Sequence, residues 1–506
     1  MLYSRRNILS AAAAAAGSTL LPVRARAQSR AEPRFLIVLT AHGGASIVDS
    51  LLAVSRSQCA AAGGDPSRLT TFADYPSSPP TGNAYQYVRP VPASPFSAPS
   101  WRGTLNFGRP INRAIDLFDV INKHKQDMLV MTQTVTSVNH DVGQARSVSG
   151  NGAWRGRTIQ EETAAAYGAE MPLPNVHLTS GSGFVRRGID EDIASRFLGE
   201  TVADPLVWPL ALNSSAAIRP WLSSDAIASM RTLRDSLENQ TSFARIFERS
   251  RRRASFMSRR NTRQQELEAA DLTPKLLLQQ SSATFRLEDF GLTAAPESDR
   301  LRQILPSLDE DPVEAQVALA YLLLKNRISC AVTLGPNAAG VTVGNPNDPD
   351  FLRQPALGFD YSHTDHWPAQ MWMWERVLNL ADTLIELLKN EPYDDNTSLW
   401  DRTLIWVTTE FGRSKVRPPN ADTFSSGHNL NNGTLFISPM LRGNQVVGGV
   451  DAATLETFGT AEGSWNTPQP ERHLSEREPY ALALAALGID ASQSGLPDVS
   501  SLVRRQ

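Results

Sequence analysis

Cysteine is nearly absent: the 506 residues hold only Cys59 and Cys330, which excludes a zinc finger or a disulfide-built scaffold. For that pair, a single Cys59–Cys330 bridge stands beside two inert buried thiols, the commoner fate of a cysteine in an apolar run such as Ile328 to Leu334. Long apolar stretches are missing too, so no stable membrane span is expected. No internal repeat recurs. Neither sign of charge prevails: Lys and Arg number 49 against 52 Asp and Glu, a formal charge of -3 that becomes -7 without Arg5, Arg6, Arg24 and Arg26. That balance argues against a general affinity for nucleic acid or acidic lipid.

What is present is enough apolar content, 41%, with 20% charged residues, to bury a large core in one big domain or two ordinary ones. Residues 1–27 read as an export signal and not as a structural element. Ser4-Arg5-Arg6-Asn7-Ile8-Leu9 resembles the twin-arginine consensus, a weakly apolar run follows from Ala11 to Leu21, and Ala25-Arg26-Ala27 offers a cleavage site before Gln28. The run is too short for a membrane anchor. The expected partner of this segment is the twin-arginine export machinery, and the expected location is periplasmic or secreted. That route carries folded proteins, often with a cofactor in place.

Short apolar runs at Phe35 to Leu39, Met128 to Met131, Ile328 to Leu334, Leu404 to Val407 and Leu435 to Ile437 have the form of strands buried on both faces. Helical segments separate them, one capped by Asp311 before Pro312 and another running from His366 to a stop near Pro392. The alternation predicts an α/β fold, a three-layer sandwich around a central, mostly parallel sheet. Tyr75 to Trp101, rich in Pro and Ser, reads as a surface excursion with little regular structure. Residues 221–287 read as a helical insertion carrying Arg245, Arg249, Arg251, Arg252, Arg253, Arg259, Arg260 and Arg263. They could grip an anionic polymer or form a solvated face paired with Glu248, Glu266 and Glu268.

Chemistry-bearing residues cluster just after these strands, where open α/β sheets place their ligands. Phe359-Asp360-Tyr361-Ser362-His363-Thr364-Asp365-His366 packs two histidines and two further carboxylates into one short segment. Imidazole and carboxylate together suit zinc, manganese and similar divalent ions, whereas the same residues could instead cap the following helix. The first strand runs into Ala41-His42-Gly43-Gly44-Ala45-Ser46-Ile47-Val48-Asp49, whose glycines allow a close approach or an unusual turn. The second runs into Thr134 to Asp141, with Ser137 and His140 as candidates for the reacting position, or with Ser137 or Asn139 as a helix cap. Thr408-Thr409-Glu410-Phe411-Gly412-Arg413 supplies a carboxylate and a guanidinium, for a metal and an oxyanion or for a plain salt bridge. His428 lies in a polar loop before the fifth run.

Taken in order, these motifs resemble an exported bacterial family of unknown function in the alkaline-phosphatase and sulfatase superfamily. The resemblance rests on His42-Gly43-Gly44-Ala45-Ser46-x-x-Asp49, Asn139-His140, Ser149-Gly150, Phe359-Asp360-x-x-His363, Thr409-Glu410-Phe411-Gly412-Arg413, Gly427-His428 and Gly448-Gly449-Val450-Asp451. It leaves the arginine-rich middle uncovered. It implies an alkaline-phosphatase-like domain over 28–506 that hydrolyses phosphate or sulfate esters, of small molecules or of polysaccharide, with one or two divalent ions (zinc, manganese or calcium). Asp360, His363 and His428 would bind one metal. Glu410 would be a second-site ligand or base, Arg413 would hold the anion, and His140 or Ser137 would stand near the attacking position, with His366 and His42 as further metal candidates. The second metal's pattern is broken, because the first strand ends in Thr40-Ala41-His42 and Glu410-Phe411 stands where Asp-His belongs. The alternative is a non-catalytic member that binds envelope polysaccharide or a partner protein.

Overall fold

Eight strands pair into one sheet: β1 (Phe35–Thr40), β2 (Met128–Thr134), β3 (Asn175–His177), β4 (Glu200–Thr201), β5 (Ala331–Leu334), β6 (Thr403–Thr408), β7 (Asn431–Ile437) and β8 (Gln445–Val447). Their spatial order is β8-β2-β7-β6-β1-β5-β3-β4. Each pairing is parallel except the two made by β7, which runs against both β2 and β6. The computed structural model describes residues 32–78, 86–101, 116–179, 182–212, 223–335 and 358–504, apart from the side chains of 101, 224, 255, 259 and 261–265. The expected leader over 1–27 and the side chains of Arg259 and Arg263 therefore lie outside the described residues.

Continuous apolar runs become inner strands because both faces of the sheet are covered. In β1, Phe35, Ile37 and Leu39 join one core cluster and Leu36 and Val38 the other. Eight helices bear on the argument: α1 (Leu117–His124), α2 (His140–Ser149), α3 (Ile159–Tyr167), α4 (Ser224–Asn239), α5 (Arg251–Ala270), α6 (Pro312–Lys325), α7 (His366–Lys389) and α8 (Arg477–Ala486). The first cluster takes its helical partners from α1, α6 and α7, the second from α2, α3 and α8. The result is an α/β sandwich with a large, mostly parallel central sheet. Asp311 caps α6 as expected, its carboxylate accepting the N–H of Val313 at 3.0 Å, and it also takes Arg376 of α7 at 2.6 Å, which ties the two helices together.

One expectation changes. The segment from Tyr75 to Trp101 is not structureless: Gln86–Pro90 and Ser97–Trp101 pair antiparallel, with Ala73–Asp74 beside them, although 79–85 lie outside the described residues. Val88, Phe96 and Ala98 are buried in the first core cluster. Prolines at a small sheet's edge cost it little, so the Pro-rich composition hid the strands. The cysteines are free thiols, both buried. The region 221–287 is mostly helical as far as Leu276, whereas 277–286 lie outside any helix, and no helix among the described residues is long and apolar enough to cross a membrane.

The topology explains where chemistry gathers. The carboxyl ends of β1, β2, β5 and β6 share one edge of the sheet, and β7, being reversed, brings its amino end there.

Candidate metal centre

The turn after β1 is shaped by what presses on it. Gly43 and Gly44 have φ of 98° and 80°, a region that side chains with a Cβ avoid. A Cβ on Gly43 would lie 2.2 Å from the Asp360 backbone nitrogen, and one on Gly44 would lie 2.8 Å from Arg413 Nε. The glycine pair thus lets two site residues come up against the β1 turn.

Glu410, just past β6, is fully buried and saturated with donors. Its Oε1 accepts the Gly43 N–H at 2.9 Å, Gln144 Nε2 at 3.0 Å and His140 Nδ1 at 2.8 Å, while Oε2 accepts Thr409 Oγ1 at 3.1 Å. With Nδ1 donating to that carboxylate, His140 turns its Nε2 outward, 3.4 Å from Asp360 Oδ1. His140 is the first residue of α2, capped by Asn139, whose side chain accepts the Val142 N–H at 3.1 Å. Ser137 serves this same turn, its hydroxyl accepting the Asn139 N–H at 3.1 Å.

Asp360 is the hub. Its Oδ1 lies 3.4 Å from His363 Nε2 and 3.7 Å from His428 Nε2, in addition to His140, and it accepts Arg413 Nη2 at 2.6 Å. Arg413 is fully buried, and its Nη1 donates to the Ser426 carbonyl at 3.1 Å and its Nε to the Gly43 carbonyl at 3.1 Å. These bonds leave it as the brace of Asp360 and the glycine turn, not a clamp reaching for substrate.

The two remaining imidazoles meet awkwardly. His428 Nδ1 lies 2.9 Å from the Val138 carbonyl, which can only accept, so that nitrogen carries the proton and Nε2 of the neutral ring bears a lone pair. His363 Nε2 is 3.2 Å from the donor Arg413 Nη1 and 2.8 Å from His428 Nε2. If His363 Nε2 accepts from Arg413, its lone pair faces that of His428; if it is protonated, it donates to His428 but sets its N–H against the Arg413 donor. A cation among these nitrogens and Asp360 Oδ1 removes the conflict. Ligand atoms bound tetrahedrally at zinc-like distances stand about 3.3 Å apart, near the spacings found here. A second donor set, His42, His140 and Glu410, adjoins the first. His42 Nδ1 is buried with no bonding partner in the described residues.

Electrostatics sort the groups. Burial resists ionisation of Glu410, but the bond from His140 and the charges of His42 and His140 outweigh it and hold the carboxyl down to about 2. Burial likewise opposes charge on Asp360, yet His428 and Arg413 keep it well below the usual carboxylate range. For His140, burial is overcome by Glu410 and then Asp360, which raise it above an ordinary imidazole. His42, stacked on His140 with ring centres 5.6 Å apart, is lowered, chiefly by burial. His363 is lowered by burial and then by Arg413. Two neighbouring imidazoles are thus pushed apart in acidity, as acid–base pairs require.

Of the residues singled out in the sequence, His42, His140, Asp360, His363, Glu410, Arg413 and His428 come together at this one edge. His366 does not join them: it is fully buried behind the glycine turn, its Nε2 3.1 Å from Asp49 Oδ2. Ser137 makes its bond within the α2 turn, and Thr136 is committed to Glu476 Oε1 at 2.7 Å. Sequence reading missed Gln144 and Gln370. Gln144 stands four residues after His140, on the same helix face, and that spacing was its signal. Gln370 binds the Ser46 N–H at 2.8 Å and the Gly44 carbonyl at 3.1 Å from α7, with no local mark.

No family model matches the chain, and no curated protein matches it. A solved structure described as "Crystal structure of Ps i-CgsB" is 11% identical over 92% of this chain and 74% of that chain, with a TM-score of 0.28. At that score the likeness carries no argument.

Proposed function

We propose that the protein is an exported metal-dependent hydrolase of phosphate or sulfate esters, built on the alkaline-phosphatase and sulfatase superfamily fold. The observation that carries this reading is the convergence of three imidazole Nε2 atoms on Asp360 Oδ1, two of them 2.8 Å apart. A zinc-, manganese- or calcium-class ion held by Asp360, His363 and His428 would supply Lewis-acid polarisation of the ester.

The chain's own residues do the rest. Arg413 fixes Asp360 and offsets one of the two carboxylate charges. Glu410, with its acceptors filled, acts through His140, holding the ring by Nδ1 so that Nε2 faces the site. That nitrogen is the group in position to move a proton or to attack phosphorus or sulfur. The amino end of α2, where His140 sits, favours an anionic ester electrostatically.

A second reading has one observation in its favour: Arg413 already supplies a cation to Asp360 at 2.6 Å, which suits a non-catalytic member that binds polysaccharide or a partner protein. Hydrolysis of 4-nitrophenyl phosphate and 4-nitrophenyl sulfate, with each metal supplied in turn, separates the two. Turnover of either ester that falls at least about a hundredfold in His140→Ala, with the fold retained, supports the enzyme. Turnover equal in wild type and His140→Ala, or none with any metal, favours the binding protein.

A further inference from the structure

The arginine-rich insertion is built inside out. Helices α4 and α5 meet through charged groups: Arg260 bonds Asp235 at 2.8 Å and Glu238 at 2.5 Å, Arg253 bonds Asn239 at 2.7 Å, and Arg231 pairs with Glu268. Apolar side chains point the other way. Met230, Leu233 and Leu237 form an exposed stripe at helical spacing on α4, and Phe243 and Ile246 of the short helix Ser242–Ile246 are 63% and 75% exposed. Phe256 of α5 is exposed as well. Contiguous apolar surface of this kind marks a contact site, since an ordinary hairpin would bury it in its own seam.

The charges around the patch choose the occupant. Residues 241–260 contain seven arginines and one carboxylate, Glu248. Arg245, Arg249, Arg251 and Arg252 are all exposed; Arg251 reaches Glu191 at 2.9 Å, and Arg249 and Arg252 make no ion pair within the described residues. A second copy docked face to face through this patch would set arginines against arginines. The chain's mild overall negative charge gives no general pull toward an acidic surface, so attraction has to be local. Phenylalanine, isoleucine, leucine and methionine flanked by unpaired arginine are what an interfacial helix offers to headgroup phosphates and the acyl boundary below them.

We infer that the hairpin α4–α5, with the short helix Ser242–Ile246 at its tip, seats the protein peripherally on an anionic lipid bilayer, without crossing it. This holds whether or not the metal centre is catalytic.

Vesicle flotation tests it, using the chain from residue 28 and either pure phosphatidylcholine vesicles or vesicles mixed with phosphatidylglycerol. The protein should float with the mixed vesicles and not the pure ones, and raised salt should weaken the binding. Arg249→Glu with Arg252→Glu should lower the partition coefficient by at least about thirtyfold, and Phe243→Ser with Ile246→Ser should abolish flotation. All four side chains are exposed, so circular dichroism and melting should match the wild type. Absence of flotation with mixed vesicles, or flotation untouched by both double variants, overturns the inference. So does a concentration-dependent dimer lost in Phe243→Ser with Ile246→Ser, or capture by polyglutamate, if either occurs without vesicle binding.

Discussion

Glu410 shows how one side chain can govern a site without facing its ligand. It is legible in the sequence as a carboxylate at a strand end, but not its part, because nothing local says that Gly43, Gln144 and His140 all donate to one oxygen. Glu410→Gln keeps the shape and removes the charge that orients His140. It should lower metal affinity or ester turnover about 10–100-fold, beyond what the accompanying loss of stability accounts for, as titration beside denaturant unfolding will report. His366 is the opposite case: its place in the Asp360–His366 motif suggested a ligand, yet the helix it begins turns it inward to Asp49. A second histidine, His177 on β3, contributes to acid sensitivity. Burial lowers it from 6.5 to about 4, so the unfolded chain takes up this proton first. Its stabilising effect is whole above about pH 6.5 and is lost as pH falls toward 4, about 3 kcal/mol in all. His177→Met should flatten the urea stability profile over that window; an unchanged slope would refute the assignment.

At the scale of elements, the strands written as short apolar runs were readable, and so was α6 with its Asp311 cap. The glycine pair was readable only as a turn. What requires it is contact from far along the chain, Asp360 on Gly43 and Arg413 on Gly44. Gly43→Ala combines an unfavourable φ with a backbone clash and should cost at least about 2 kcal/mol. Because the clash is with Asp360, metal uptake should fall further than stability alone accounts for, which calorimetric titration beside a denaturant curve can resolve. The strands within Tyr75–Trp101 were hidden for a related reason, since their pairing rests on burial of Val88, Phe96 and Ala98 against distant residues and not on local composition.

For the molecule as a whole, the sequence disclosed a covered, mostly parallel sheet and the strand ends at which ligands collect. It did not disclose strand order, the reversal of β7, or the short strands β3, β4 and β8, whose few residues carry little pattern of their own. That reversal is what brings His428 to the same edge as Asp360 and His363. The central claim is that these three residues hold a divalent ion. Elemental analysis of the chain from residue 28, recovered from its exported pool without chelator or added metal, tests it most directly. The account predicts about one equivalent of zinc, manganese or calcium, lost in His363→Ala and in His428→Ala while the fold persists. A stably folded, metal-free protein that takes up none of these ions on titration would contradict it.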